Sequence, residues 1–331
     1  MTRRLYILAL ALALTPTVGL AAPAVLFDVS NQHPLIQVYS LPNPGLEPLP
    51  APGEWSWRAD TRLSNHSIEE EGPAGERIVI DGESYRTQLV VGYGLRPEMS
   101  LTATIPLVAH STGMLDGFII NWHDLWGLSN ERREGFENNQ LDYSYFQDGV
   151  ALLAIRERQR GLGDIRLAWD WQLRPAGPEQ RSLALRTGLK LPTGSSRRLL
   201  GSGSTDVSVQ LAGSDTKTLG AWNMALGWSL GALWLGDGDL LDEMRENVVI
   251  IGSAGFHWQA WSRVALRAQL DLHSAFYDSA LDVLGKGSVQ LSSGFDVRLG
   301  ERHRLELAMM QNLRTDTTPD FGLYLSWRSS L

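Results

Sequence analysis

The sequence predicts an all-β chain: a 12-stranded antiparallel transmembrane β-barrel, closed, with short periplasmic turns and longer extracellular loops. Three observations predict it. First, the dominant hydrophobic period after residue 53 is two rather than 3.6, as in Ile165, Leu167, Trp169, Trp171 and Leu173 alternating with Asp164, Arg166, Ala168, Asp170 and Gln172. Second, the alternating stretches run about 9–16 residues, whereas globular strands average about 5–6 and membrane-crossing strands need about 9–11. Third, the connectors alternate between short and long, as in barrels with short turns on one side and long loops on the other.

Successive side chains of a strand face opposite sides, so each stretch carries one apolar, aromatic face and one charged face. Twelve stretches fit: 54–64, 84–95, 99–110, 163–174, 182–193, 204–214, 219–234, 247–259, 263–276, 287–299, 302–313 and 320–328. Between them, 96–98, 174–180, 215–217, 260–262 and 300–301 are short, and 65–83, 111–162, 194–203, 235–246, 277–286 and 314–319 are mostly longer and more polar. In this arrangement Trp55, Trp57, Tyr93, Trp171, Trp222, Trp258, Trp261 and Trp327 fall near periplasmic strand ends, and Tyr85, Trp234, Phe276 and Phe321 near outer ends. Such clustering matches the aromatic girdles of a membrane barrel.

The chain has 331 residues, no cysteine and a net charge of −8. Arg3 and Arg4, the apolar run Leu5–Leu14 and the small residues Gly19, Ala21, Ala22 and Ala24 read as a secretory signal over residues 1–24. Without those two arginines the balance is 27 basic against 37 acidic side chains, which excludes a nucleic-acid binder. The lack of cysteine excludes disulfides, thiolate metal sites and cysteine nucleophiles. A near-neutral mean hydropathy of −0.14 excludes a bundle of membrane helices. Residues 25–52 carry six prolines between Pro34 and Pro52 and cannot form a regular central strand or helix. They read as an extended periplasmic segment or a plug entering the lumen, followed by the barrel over 53–331. Within the long outer loop, Asp148-Gly149 predicts a hairpin turn between Tyr143–Phe146 and Val150–Arg156.

A series of short motifs carries a resemblance. It comprises Asn31-Gln32-His33-Pro34-Leu35, Asp81-Gly82-Glu83, Leu115-Asp116-Gly117 with His123 and Trp126-Gly127-Leu128, and Gly161-Leu162-Gly163-Asp164-Ile165. It continues with Leu191-Pro192-Thr193-Gly194, Gly201-Ser202-Gly203 with Asp206, Gln269-Leu270-Asp271-Leu272-His273-Ser274 and Pro319-Asp320-Phe321. In this order they resemble a proteobacterial family known only as a domain of unknown function and regarded as outer-membrane barrels. The Gly-Leu-Gly-Asp and Leu-Pro-Thr-Gly elements are also similar to those of channels for aromatic compounds. The resemblance implies an outer-membrane location in a Gram-negative bacterium, with no reaction and no substrate. The last strand also resembles the signal read by the barrel-assembly machinery, although it ends in Arg-Ser-Ser-Leu rather than on an aromatic residue. Expected partners are therefore that machinery, outer-membrane lipid and lipopolysaccharide; nucleic acid is not one, and a monomer is favoured.

The inward faces hold Arg58, Asp60, Arg62, Arg86, Asp164, Arg166, Asp170, Arg186, Lys190, Asp206, Arg263, Arg267, Asp271, Asp296, Arg298, Arg304 and Glu306. Such a density of mixed charge pairs internally, because an unpaired buried ion costs several kcal/mol. A second group sits at the outer rim: Asp81, Glu83, Asp116, His123, Asp164, Asp206, Asp271, His273 and Asp320. Carboxylates with a histidine suit a divalent cation or the activation of water; no other cofactor is indicated. No catalytic residue is assigned. His66-Ser67, His110-Ser111 and His273-Ser274 are adjacent pairs pointing to opposite faces, and no Gly-x-Ser-x-Gly elbow occurs. The leading expectation is passive passage or binding of a small polar or amphipathic molecule through a narrow charged lumen, gated partly by the 111–162 loop. The alternatives are a cation-dependent lipid or lipid A hydrolase at the outer rim, and a structural or envelope-interaction barrel whose lumen is closed by salt bridges.

Overall fold

The computed structural model describes residues 26–45, 49–113, 140–175, 180–300, 303–314, 317–319 and 321–330. The expected signal over 1–24 and the rim candidates Asp116, His123 and Asp320 lie outside the described residues.

Among the described residues fifteen strands follow in chain order: β1 (Trp55–Glu71), β2 (Glu76–Arg96), β3 (Met99–Ser111), β4 (Asp142–Gln147), β5 (Val150–Ile155), β6 (Gln159–Leu162), β7 (Ile165–Arg174), β8 (Arg181–Leu191), β9 (Asp206–Asp215), β10 (Met224–Trp234), β11 (Val248–Trp258), β12 (Val264–His273), β13 (Ser288–Leu299), β14 (His303–Arg314) and β15 (Phe321–Ser330). Two four-residue helices, α1 (Pro34–Gln37) and α2 (Asp282–Gly285), lie in the N-terminal segment and the β12–β13 loop. β6 and β7 both pair with β3 and form one wall strand in two pieces. The wall therefore has twelve antiparallel strands, and β1 closes it against β15 from Ser56↔Ser330 to Asn65↔Phe321. Closure leaves no unpaired wall edge, the condition for a sheet in lipid.

The pleat sorts side chains as the alternation demands. Along β10, Leu226, Trp228 and Leu230 are exposed, whereas Ala225 and Ser229 are buried. Neighbouring strands extend the apolar belt with Leu167, Leu189, Val207, Leu211, Phe256, Leu270 and Leu325. Trp55, Trp171, Trp222, Trp258, Trp261 and Trp327 are exposed at the short-turn end, and Trp234 at the long-loop end. Phe276 departs from its expected girdle place: it is 1% exposed and stacks on Tyr39, with ring centroids 5.1 Å apart.

Other departures have local causes. Residues 65–83, expected as a loop, continue β1 and β2 as a ladder that pairs Glu71 with Arg77. Beyond the membrane the outward face no longer meets lipid, so acidic residues are admitted without ending the strand. The predicted Asp148-Gly149 hairpin forms as β4 and β5, with φ of 50° and 77° at the turn, the doubly positive geometry that suits a two-residue hairpin. It adds to the extended part of β2. The strand expected over 219–234 begins only at Met224, after a 3-10 turn at Gly220–Trp222. Arg263 sits before β12 and is exposed, not inward.

Leu230 lies in the middle of the lipid belt and is 59% exposed. Leu230→Arg is expected to destabilise the barrel by about 2–4 kcal/mol, whereas Lys217→Arg in the short turn is expected to be near neutral. Urea titration of folding into lipid vesicles measures both.

Candidate functional site

The N-terminal segment lies inside the barrel. Between Leu26 and Tyr39 every residue except Ser30 is buried. Proline denies the segment a ladder of its own, and inward-facing side chains supply its partners. Asp28 pairs with Arg58 and lies 3.6 Å from Arg62, whose guanidinium also donates to the Asp28 carbonyl. Gln269 accepts from the Phe27 N–H at 2.7 Å and donates to its carbonyl at 3.3 Å. Arg86 donates to the Ser40 hydroxyl at 2.7 Å and to the Gln37 carbonyl at 3.5 Å, and Arg186 to the carbonyls of Asn43 and Gly45. The Asn31 amide meets His273 Nε2 at 2.8 Å.

Ion pairs fill much of the remaining inner wall. Asp60 bridges Arg58 at 3.0 Å and Arg62 at 3.3 Å. Arg267 reaches Asp296 at 2.7 Å and Glu306 at 3.4 Å, Arg304 reaches Asp296 at 3.4 Å, and Arg328 lies 3.9 Å from Glu306. Asp170 pairs with Arg186 at 2.9 Å. Arg166, Asp271, Arg298 and Arg304 are half-buried, and the remaining inward candidates apart from the exposed Arg263 are buried. Sequence reasoning missed Arg328, although Tyr324, Ser326 and Arg328 alternate with the outward Leu325 and Trp327. It missed Asp28 because no strand period runs through the proline-rich segment.

At the long-loop end, three of the singled-out motifs converge. Lys190 sits between Asp164 at 3.0 Å and Asp206 at 2.7 Å and also donates to the Ser202 hydroxyl. Asp164 accepts the N–H groups of Gly194 at 2.8 Å and Ser202 at 3.0 Å; Asp206 accepts the Ser204 hydroxyl at 2.7 Å and the Gly236 N–H at 3.1 Å. A Cβ on Gly201 would overlap the Asp164 carboxylate, which explains the glycine there. Lys190 also lies 5.6 Å from the Tyr39 ring. The other rim candidates are separate. Asp271 accepts from Ser253 at 2.6 Å and from Gln269 at 2.7 Å. Glu83 is buried and accepts the Tyr85 hydroxyl at 2.5 Å, and Asp81 is buried nearby. Among the described residues no three of His, Asp or Glu converge as a metal site would require.

Above this layer the barrel mouth is packed with apolar side chains. Leu35, Ile36, Val38 and Tyr39 of the N-terminal segment join Ile78, Ile80, Tyr143, Ile155, Leu199, Leu240, Phe276, Leu281 and Val283 in one buried cluster. The short-turn half, by contrast, holds a cavity of about 550 Å³ bounded by Pro42, Pro50, Val90, Thr104, Arg166 and Arg304 among others. The lumen is thus full at one end and hollow at the other.

A family model described as protein of unknown function (DUF3187) matches residues 2–330. No curated protein matches the chain in sequence. The COG4313 outer membrane channel from Pseudomonas putida F1 superposes with a TM-score of 0.55 and 15% identity, covering 86% of this chain and 97% of its own. The toluene transporter TodX of P. putida gives a TM-score of 0.42 at 10% identity, over 91% and 93% of the two chains. The KdgM porin gives 0.43 at 6% identity, over 83% and 99%.

Two outcomes follow from the geometry. Lys190→Met leaves Asp164 and Asp206 facing one another without a cation and is expected to cost about 3–5 kcal/mol, read as a lower urea midpoint. His33 caps α1 from a fully buried position, and its ring lies 6.0 Å from that of His66. Burial, reinforced by His273, pushes its pKa down to about 3 from an ordinary 6.5. A histidine depressed by folding contributes stability that is intact above pH 6.5 and is lost progressively as pH falls from there toward about 3. Amide hydrogen exchange around α1 is expected to accelerate over that window, and less so in His33→Gln.

Proposed function

The chain belongs to the DUF3187 family of proteins of unknown function, and we propose that it is an outer-membrane channel of a Gram-negative bacterium, held shut here by its own N-terminal segment and long-loop cap. On this reading the signal over 1–24 exports it, the apolar belt meets outer-membrane lipid and lipopolysaccharide, and the short turns face the periplasm. It carries a small polar or amphipathic molecule.

The observation that carries the reading is the cavity of about 550 Å³ in the short-turn half. An eight-stranded barrel is just filled by its side chains, whereas wider ones leave space. Here the space ends against a segment seated largely by side chain–backbone hydrogen bonds and ion pairs, such as Arg62 and Gln269 on Asp28 and Phe27. Hydrogen bonds to charged groups are worth about 1.5–3 kcal/mol each, so a few such contacts hold the lower part of the segment more weakly than the closed ladder holds the wall.

A second reading, a permanently closed barrel serving the envelope as a scaffold, draws on the extent of the apolar cluster at the long-loop end. Planar-bilayer recording and liposome swelling separate the two. The native chain is expected to show brief, small openings. Asp28→Ala, which removes the carboxylate that pairs with Arg58 and Arg62 and leaves only the backbone carbonyl to Arg62, is expected to raise the open fraction. If neither protein passes ions or small solutes, the channel reading falls and the scaffold reading stands.

A further inference from the structure

We propose that the short-turn half of the lumen binds a small organic carboxylate, with the Arg166 guanidinium as its anchor. The proposal rests on the lumen being the site through which this barrel acts, and it names the class of molecule taken there.

Six arginines line the cavity, Arg58, Arg166, Arg186, Arg298, Arg304 and Arg328, against two acidic residues, Glu54 and Asp170. Five of the six are engaged. Arg58 pairs with Asp28 and Asp60, Arg186 with Asp170, Arg304 with Asp296 and Arg328 with Glu306, while Arg298 donates to the Ser262 carbonyl at 2.5 Å. Arg166 differs: among the described residues it makes no ion pair and no hydrogen bond. The charges close enough to act on it are Asp170, Arg186, Arg58 and Arg62. Three of those four are cations, and Asp170 is already bound to Arg186 at 2.9 Å. Its cross-strand neighbour on β8 is Lys190, another cation.

A half-buried guanidinium with five unspent N–H donors, whose one nearby carboxylate is already bound to Arg186, is costly, and an anion of its own removes that cost. The planar fork of arginine matches a carboxylate through two parallel hydrogen bonds. One unbonded guanidinium suits one negative charge; Arg298 is held by the Ser262 carbonyl at the short-turn end, and the other four arginines are ion-paired. Pro42, Pro50 and Val90 line the same cavity and offer apolar contact to the rest of the molecule. Its volume of about 550 Å³ falls within the range of small-molecule sites, about 300–1,000 Å³.

The test uses the full-length chain in detergent micelles, titrated calorimetrically with sodium benzoate, with benzamide as a neutral molecule of the same shape, and with inorganic phosphate. Benzoate is expected to bind saturably and benzamide at least roughly tenfold more weakly. Phosphate is expected to bind more weakly than benzoate. Arg166→Met is expected to weaken benzoate by a similar factor and Arg166→Lys by less, since lysine keeps the charge but loses the fork. Absence of benzoate binding, equal binding of benzoate and benzamide, or unchanged binding in Arg166→Met overturns the proposal. Phosphate binding more tightly than benzoate also overturns it, in favour of a phosphate site. The benzoate–benzamide comparison needs no variant, so a misfolded mutant does not decide the matter. Bilayer recordings on the same preparations keep the two readings apart. Conductance without benzoate binding removes the carboxylate site and leaves the channel; benzoate binding without conductance removes the channel and leaves the site.

Discussion

In the hydrocarbon core of a membrane an unpaired backbone N–H or C=O has no water to turn to, and each one costs several kcal/mol. The pairing of β1 with β15 removes the last open edge of this sheet. Once the sheet closes, the pleat forces every second residue inward. Arg58, Asp60 and Arg62 on β1, and Asp296 on β13 with Glu306 on β14, therefore face one another across a confined space. Twelve strands enclose more room than side chains alone fill. The charges then need both partners and packing, and part of each comes from the N-terminal segment. Its carbonyls and Asp28 meet the wall arginines, while Phe27 lies 5.0 Å from Arg267 and packs edge-on to Tyr324 at 6.1 Å.

The two halves of the lumen are stabilised by different forces. At the long-loop end the cluster around Ile36, Tyr39, Tyr143, Phe276 and Leu281 is apolar. Exposing any one such side chain costs about 1.5–3 kcal/mol, and the contacts knit α1 to several loops at once. Below it, Leu26–His33 is seated mostly by hydrogen bonds and ion pairs with a small apolar cluster of Phe27, Val29, Ala308, Met310 and Tyr324. Water entering the lumen can take over the hydrogen bonds, and the buried Asp28–Arg58 pair is the costliest of these contacts to open. The boundary between the polar-seated part and the apolar-seated part falls at α1, which begins at Pro34 directly after the His33 cap.

The wall is legible in the sequence because a single physical cause, lipid on one side and ions on the other, writes the same two-residue period into every strand. That cause stops at the membrane surface, and legibility stops with it. Glu69, Glu70 and Glu71 continue β1 but read as a loop, since their outward face meets water. Phe276 reads as an interfacial aromatic, yet its partner Tyr39 lies 237 positions away in a segment without any period. The rim carboxylates were placeable on strand ends by alternation. Their separation into a Lys190 pair, an Asp271–Gln269 group and a buried Asp81–Glu83 region depends on loop closures that no local pattern encodes.

The Lys190 cluster shows why a rim rich in carboxylates is a poor place to look for chemistry here. Asp164 spends its oxygens on Gly194, Ser202 and Lys190, and Asp206 on Ser204, Gly236 and Lys190. Each carboxylate accepts several donors, and the cation between them is covalently part of the wall. A divalent ion would have to displace the Lys190 ammonium and several backbone N–H groups from a site that is 0–2% exposed, leaving a buried lysine uncompensated. The glycine-rich motifs that meet here serve this seat: Gly194 brings its N–H to Asp164, and Gly201 leaves room for that carboxylate. The same accounting one layer further in leaves Arg166, beside Lys190 in the ladder, without a bonded partner among the described residues. Unspent hydrogen-bonding capacity, rather than density of charge, separates the Lys190 seat, whose every oxygen is engaged, from the Arg166 guanidinium.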